Sequence, residues 1–139
     1  MSDSEGATIV PIGRVVSALS DPATAPRQGD EGAPPASIIL EPGVRAAAAG
    51  ISSGNRLVVL TWLHLADRTV LRVHPRGDRD RPEAGVFTTR SPDRPNPIGL
   101  HIVTVTAVAE GRLDVDALEA VDGTPVLDIK PVLGDVDER

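Results

Sequence analysis

The reading of this chain turns on Gly85-Val-Phe-Thr-Thr-Arg90-Ser-Pro-Asp-Arg-Pro95-Asn-Pro-Ile-Gly-Leu100. Pro92, Pro95 and Pro97 fall within six residues, with Arg90, Arg94 and Asn96 beside and between them. Each proline fixes its own φ near −65° and pushes the residue before it toward extended geometry. The loop is therefore stiff before any ligand arrives. It also lacks several backbone N–H donors, which leaves its carbonyls and the neighbouring N–H groups to face outward. A stiff loop carrying two arginines and an asparagine suits a polar ligand, because little ordering entropy remains to be lost on binding. The alternative is a plain proline-rich connector. Against it stand the strand-like runs that the loop joins so closely, Gly85 to Thr89 leading in and Ile98 to Val108 leading out.

A second run, Asp122-Gly-Thr-Pro-Val-Leu-Asp-Ile-Lys-Pro131, repeats the pattern nearer the C-terminus. Asp122-Gly123 is a turn dipeptide. Val126, Leu127 and Ile129 make a short apolar strand into which Asp128 and Lys130 are set. A charge buried there without a partner is costly. Either the two charges alternate onto a wet face, or they meet a ligand or neighbouring groups.

Working outward, Thr8 to Ala18 reads as a first strand punctuated by Pro11 and Gly13, and residues 20 to 35 as a loop. Ser37 to Leu40 is a strand. Pro42 to Ala49 is a short helix, with proline near its start and Gly50 as its stop. Leu57 to Leu65 is a strongly apolar strand, and Thr69 to His74 is expected to pair with it across an Ala66-Asp67-Arg68 turn. Ile98 to Ala109 alternates, with Val103, Val105 and Ala107 on one face and Thr104 and Thr106 on the other. Glu110-Gly111 turns into Arg112 to Ala117, and Val126 to Ile129 closes the set. The expectation is a mainly β, small single-domain, β-barrel-like fold of about seven or eight strands with one short helix. Its bounds are a flexible N-terminus over 1–6, the domain over 7–133 and an acidic tail over 134–139.

Composition removes several function classes. The 139 residues suffice for one core, built from aliphatic residues because there is one Phe, one Trp and no Tyr. With no Cys there is no disulfide, thiolate metal site or cysteine nucleophile. The three His lack paired ligand spacing, so no metal is expected. No apolar run approaches the ~20 residues of a membrane span. The acidic start, Met1 to Gly6, lacks a signal-peptide pattern, which makes the cytoplasm the expected location.

Together the two long runs closely resemble the TsaA-like family, whose best-understood members are S-adenosylmethionine-dependent methyltransferases acting on N6-threonylcarbamoyladenosine in the tRNA anticodon loop. Pro11-Ile12-Gly13, Pro26-Arg27-Gln28 and Trp62-Leu63-His64 match shorter family motifs in the same order, so the resemblance covers about residues 9 to 133. It implies S-adenosylmethionine as cofactor and a homodimer with the site near the subunit interface. The implied cofactor-binding set is Arg27, Gln28, Phe87, Thr89, Arg90, Ser91, Pro92, Arg94, Pro95, Asn96, Pro97, Ile98, Gly99, Leu127 and Asp128. Arg27, Arg90 and Arg94 can offer forked donors to the cofactor's carboxylate, Asp128 can take its amine or a ribose hydroxyl, and Leu100 or Leu127 can pack on the adenine. The acceptor nitrogen carries a carbonyl substituent and is a poor nucleophile, so a base should assist. His64 and Asp128 are the candidates, with His74 and His101 behind them; Lys130 can neutralise developing charge or simply pair with Asp128. Each lone His has a structural reading as well.

The departures bear on the acceptor. Asp93 replaces an aromatic after Ser-Pro, Val132 replaces a Tyr, Leu63 replaces a Phe, and Asn55-Arg56 stands where the family has Ser-His. Aromatic side chains are what stack a splayed base. The net charge is −6, whereas phosphate neutralisation normally favours a basic surplus. Asp67 to Arg94 holds seven Arg against five acids, and Glu110 to Arg139 holds nine acids against three cations. The family's longer members continue into a further C-terminal domain, so the chain reads as a catalytic core alone. Three readings follow: a methyltransferase for modified adenosine in tRNA, the same chemistry on a small-molecule thiol, amine or hydroxyl, and a non-catalytic S-adenosylmethionine-binding module.

Overall fold

Alternation of apolar and polar residues builds the strands of a barrel. The computed structural model describes residues 6–20 and 32–134. Its strands are β1 (Gly13–Val16), β2 (Ala36–Leu40), β3 (Arg56–Trp62), β4 (Arg72–Val73), β5 (Ala84–Gly85), β6 (Ile98–Ala109), β7 (Arg112–Val115) and β8 (Pro125–Pro131). Six of them form an antiparallel ring in the order β1-β2-β7-β6-β3-β8. A short ladder, Gly13 opposite Val126 and Arg14 opposite Pro125, closes the ring. Gly13 lets β1 approach β2 closely. A Cβ there would collide with the Ile39 carbonyl oxygen and lie 3.1 Å from its carbon.

Inward positions carry the core: Val15, Ile38, Val59, Val105, Leu113, Val115 and Val126 are all at most 1% exposed. Each such side chain stabilises the fold by about 1.5–3 kcal/mol relative to exposure. The segment between β7 and β8 adds the buried Leu118 and Ala120 to that core. The fold is thus mainly β with eight strands, as the sequence implies, and the expected helix is a 3-10 helix over Pro42–Ala48 with no buried residue.

Four local expectations are corrected. Thr69 to His74 does not pair with β3. Both edges of β3 are already taken, by β6 and β8, so only Arg72–Val73 is extended, and it pairs with Ala84–Gly85 in a separate hairpin. The strand expected over Gly85 to Thr89 ends at Gly85, and Val86–Thr88 forms a 3-10 turn. The first strand is confined to Gly13–Val16, because Pro11 has no N–H to give a ladder. Ala107 is exposed rather than inward, because a register shift between Val105 and Ala107 turns the strand. Of the expected N-terminal segment residues 1–5, the segment holding Arg27 and Gln28, and of the acidic tail the part from residue 135 lie outside the described residues.

Candidate functional site

The proline loop is braced from within by its own arginine. The Arg94 guanidinium donates through Nη1 to the carbonyls of Thr89 (3.0 Å) and Ser91 (2.9 Å), and through Nη2 to that of Val86 (3.0 Å). The Val86 carbonyl also accepts from the Thr89 N–H at 3.0 Å, so the guanidinium clamps a turn that the backbone has already begun. The Thr89 hydroxyl donates to the Val86 carbonyl and accepts from the Ser91 N–H, and the Ser91 hydroxyl donates to the Asp93 carbonyl at 3.3 Å. Arg94 therefore shapes the loop instead of offering a free fork to a carboxylate.

A second brace ties the loop to the barrel. Arg68 Nε donates to the Pro95 carbonyl at 2.7 Å, and its Nη2 donates to the Asn96 side-chain carbonyl at 3.0 Å. The same guanidinium lies 5.0 Å from the centroid of the Trp62 ring, a cation–π distance. The Asp93 carboxylate accepts from the Asp67 N–H at 2.8 Å, and the Leu63 N–H donates to the Pro97 carbonyl at 2.8 Å. Sequence reading placed Arg68 in a turn and missed this role. The Trp62 motif gave a hint of a site, but no spacing rule connects it to Arg68 and Asn96.

Asp67 takes part in the same corner. Its carboxylate accepts from the Thr69 hydroxyl at 2.6 Å and from the Thr69 N–H at 2.8 Å. Those two bonds, the hydroxyl's first, hold its pKa below the ordinary value.

The loop leads directly into the outer face of β6. There Ile98, Leu100 and Ile102 alternate outward, each 44% exposed, while Gly99, His101 and Val103 point inward. The register sets Leu60 between Leu100 of β6 and Asp128 of β8, and Val58 between Ile102 and Lys130. Leu100 and Asp128 thus share one outer face two strand spacings apart, about 10 Å. The β3–β8 register shift at Leu60/Thr61 leaves Leu127 as the extra residue, which lets Val126 and Ile129 both contribute to the core although three residues apart. Of the two sequence alternatives for the β8 charges, the structure shows the wet face. Lys130 Nζ lies 3.2 Å from Asp128 Oδ2, with both side chains at least half exposed, so the pair itself adds little stability.

The remaining sequence candidates scatter. His64 is exposed just beyond β3. His74 Nδ1 lies 2.8 Å from the Arg81 carbonyl in the separate hairpin, and His101 points into the barrel. Phe87 is 80% exposed on the 3-10 turn. Pro92 and Asn96 are exposed, Pro95 is half-buried and Pro97 is buried. Arg90 is exposed, with no hydrogen bond or ion pair among the described residues. The loop and the sheet it enters therefore carry a free guanidinium (Arg90), an apolar residue (Leu100) and, across Leu60, a carboxylate (Asp128). That donor set fits an amino acid joined to a flat heterocycle. Among the described residues no three His, Asp or Glu gather as metal ligands, and no helix is long and apolar enough to cross a membrane.

The chain is similar to known proteins in sequence and in fold. A protein of Methanothermobacter thermautotrophicus described as a probable S-adenosyl-L-methionine-binding protein is 44% identical over 137 residues, spanning 99% of this chain and 97% of that protein. An S-adenosyl-L-methionine-binding protein of Archaeoglobus fulgidus is 42% identical over 127 residues, 91% of this chain and 90% of that protein. The crystal structure of TrmO from Pseudomonas aeruginosa superposes with a TM-score of 0.74 at 28% identity over 96% of this chain, which spans only 59% of that longer chain. The sequence profile of the tRNA-methyltransferase O N-terminal domain matches residues 14–138. With that match across nearly its whole length, the chain belongs to the tRNA-methyltransferase O N-terminal domain family.

Proposed function

We propose that this protein binds S-adenosylmethionine against the proline loop and the outer face of β8, and that it is a methyltransferase whose acceptor is N6 of threonylcarbamoyladenosine in tRNA. The observation that carries the reading is the doubly braced loop, which leads from the exposed Arg90 into β6, where Leu100 shares a sheet face with Asp128. The names of the relatives and the matched family supply the identity of the ligand that this donor set fits.

In this reading Arg90 holds the cofactor's carboxylate, with Arg27 and Gln28 joining from the N-terminal half. Loop backbone groups from Ser91 to Gly99 meet the adenine edge, and Leu100 and Leu127 meet its face. Thr89, Pro92, Pro95, Pro97 and Ile98 keep that wall rigid, and Arg94 and Asn96 act through the loop's shape. Phe87 stands exposed at its rim. The bound cofactor supplies an electrophilic methyl group. Asp128 binds its amine, and His64 at the mouth of the site takes the acceptor proton. Lys130 offsets negative charge arising on the acceptor. Alignment of acceptor with methyl carbon is the larger contribution, because methyl transfer is an in-line displacement.

The apolar outer stripe of Ile98, Leu100 and Ile102 is the face that a second copy of the chain covers, placing the site beside a homodimer interface. A small-molecule acceptor is the second reading, favoured by one observation. Of the seven arginines between Asp67 and Arg94, Arg68 and Arg94 are bound up in the loop, while Arg72 and Arg81 lie against Glu83 (3.4 Å) and Asp78 (3.6 Å). Little basic surplus is left for phosphates.

Isothermal titration with S-adenosylmethionine, repeated with bulk tRNA at two salt concentrations, tests the proposal. Cofactor binding with tRNA affinity that falls with salt supports it. Cofactor binding without tRNA affinity turns it to the small acceptor, and absence of cofactor binding overturns both.

A further inference from the structure

Inside the apolar barrel three side chains from three separate segments form one hydrogen-bonded chain. Thr61, at the end of β3, places Oγ1 2.7 Å from His101 Nε2 in β6. His101 Nδ1 lies 2.6 Å from Glu119 Oε1, on the segment that joins β7 to β8. Thr61 is 0% and His101 4% exposed, and the Glu119 side chain is 9% exposed. The other buried polar side chain, Thr124, closes on its own turn by donating to the Val121 carbonyl. Thr61, His101 and Glu119 are therefore the polar set that crosses the core among the described residues.

The hydrogen-bond pattern fixes the orientation of the ring. A carboxylate can only accept, so Nδ1 carries a proton toward Glu119; with a neutral ring, Nε2 then accepts from the Thr61 hydroxyl. In the low dielectric of the barrel such a chain is held more firmly than in water. Glu119 Oε2, however, is buried with no hydrogen-bond partner among the described residues. An unpaired buried oxygen costs about 1–3 kcal/mol. Without the carboxylate the buried His101 Nδ1 would in turn lose its partner, so Glu119 is tied to the imidazole and to what the imidazole supports.

Position shows what the imidazole supports. Gly99, the last glycine of the proline loop, pairs with Thr61 in register. A Cβ on Gly99 would lie 2.5 Å from Thr61 Oγ1 and 2.8 Å from His101 Nε2, so the loop's exit rests directly on the hydroxyl–imidazole contact. At the other end, Glu119 stands three residues before Asp122, whose turn with Gly123 leads into β8 and Asp128. One buried chain thus joins the exit of the first ligand-facing segment to the entry of the second.

We propose that Thr61, His101 and Glu119 are positioning residues, a buried relay that raises affinity for S-adenosylmethionine by holding the proline loop and the start of β8 at a fixed separation. The inference rests on the cofactor reading above. The relay touches no ligand; it acts by keeping both walls of the site preorganised, which removes an ordering cost at binding.

The test compares Thr61→Val, which keeps the shape and removes the hydroxyl, with Thr61→Ser, which keeps the hydroxyl. Titration with S-adenosylmethionine is read beside the thermal midpoint of each unliganded variant. Thr61→Val is expected to weaken binding roughly tenfold, equivalent to about 1.4 kcal/mol, and Thr61→Ser to bind within about twofold of the unsubstituted protein. A Thr61→Val protein that melts earlier yet binds equally well overturns the inference, because the relay is then only part of the core. Should Thr61→Val not fold, the decision falls to nitrogen NMR of the imidazoles in the unsubstituted protein, with the His101 signals assigned by elimination using His64→Gln and His74→Gln. Because the relay is set before binding, the unliganded protein is expected to show His101 already in one tautomer, with Nδ1 protonated and Nε2 not, unchanged by saturating cofactor. A ring that exchanges between tautomers without cofactor, or becomes fixed only with it, overturns the inference. An unsubstituted protein that binds no cofactor overturns the functional reading and this inference together, whereas normal binding with an indifferent Thr61→Val overturns this inference alone.

Discussion

The Arg94 guanidinium reaches eight residues back along the chain to the Val86 carbonyl, at 3.0 Å, and so closes the proline loop on itself. Two further carbonyls, of Thr89 and Ser91, share the same group. Lysine has one ammonium and no planar fork, so it cannot serve three carbonyls in this geometry. Arg94→Lys and Arg94→Ala should both weaken S-adenosylmethionine binding by roughly tenfold or more, about 1.4 kcal/mol per tenfold. The thermal midpoint should move little, because the loop lies outside the barrel ladder. Titration showing Arg94→Lys equal to the unsubstituted protein would mean that the brace does not shape the site.

Arg68 couples that loop to Trp62. Its loss removes two hydrogen bonds to exposed partners and one cation–π contact. Arg68→Ala should loosen cofactor binding several-fold and raise the fluorescence mobility of Trp62, the chain's one tryptophan. Unchanged anisotropy of Trp62 would show that the stack is not maintained in solution.

The close approach of β1 to β2 depends on the absence of a side chain at Gly13. A methyl group there meets the Ile39 backbone, which cannot swing aside as a side chain can. Gly13→Ala should cost about 1–3 kcal/mol of stability, read as an earlier midpoint in urea. Equal midpoints would mean that β1 shifts freely.

The proposed subunit interface predicts a change in mass. Ile102 stands at one end of the outer stripe, opposite Val58. Ile102→Glu should convert a dimer to a monomer in sedimentation, because a carboxylate buried at an apolar interface lacks a partner. A monomeric unsubstituted protein at tens of micromolar would remove the interface outright.

Acid titration should expose Asp114. Its carboxylate accepts from the Ser37 hydroxyl at 2.7 Å and from Arg112 at 2.8 Å, and these bonds, Ser37's first, hold its pKa below the ordinary value. A depressed native pKa stabilises the fold above the ordinary aspartate value of about 3.9, and the benefit is lost as pH falls through the native value. Asp114→Asn should therefore be less stable than the unsubstituted protein at neutral pH, and the gap should close under acid. A constant gap from neutral to strongly acidic pH would assign the difference to packing.

Much of the architecture was legible in the residues. Ile98–Ala109 emerged with the bounds that its alternation implies, and the Glu110-Gly111 turn led into β7 as expected. Local chemistry decides these features: a period of two for a strand and glycine where φ is positive, as at Gly111 with φ of 71°. The site was legible only as a loop and a strand. Arg90 and Asp128 drew attention as charges beside motifs, while Arg68, Thr61 and Glu119 carried no local signal, since their hydrogen bonds reach residues 27 to 40 positions or 18 positions away.

The sequence by itself determined that this chain is a small β domain with a proline-stiffened loop, because those properties follow from patterns within a few residues. Only the tertiary structure decided which strand lies beside which. Thr69 to His74 lost its expected place because β3 has two edges, both occupied by distant strands. It likewise turned Arg94 inward to the loop's carbonyls and brought Thr61, His101 and Glu119 into one buried chain. Edge occupancy and buried polar pairing are satisfied over the whole barrel at once, and no stretch of sequence read alone contains that condition.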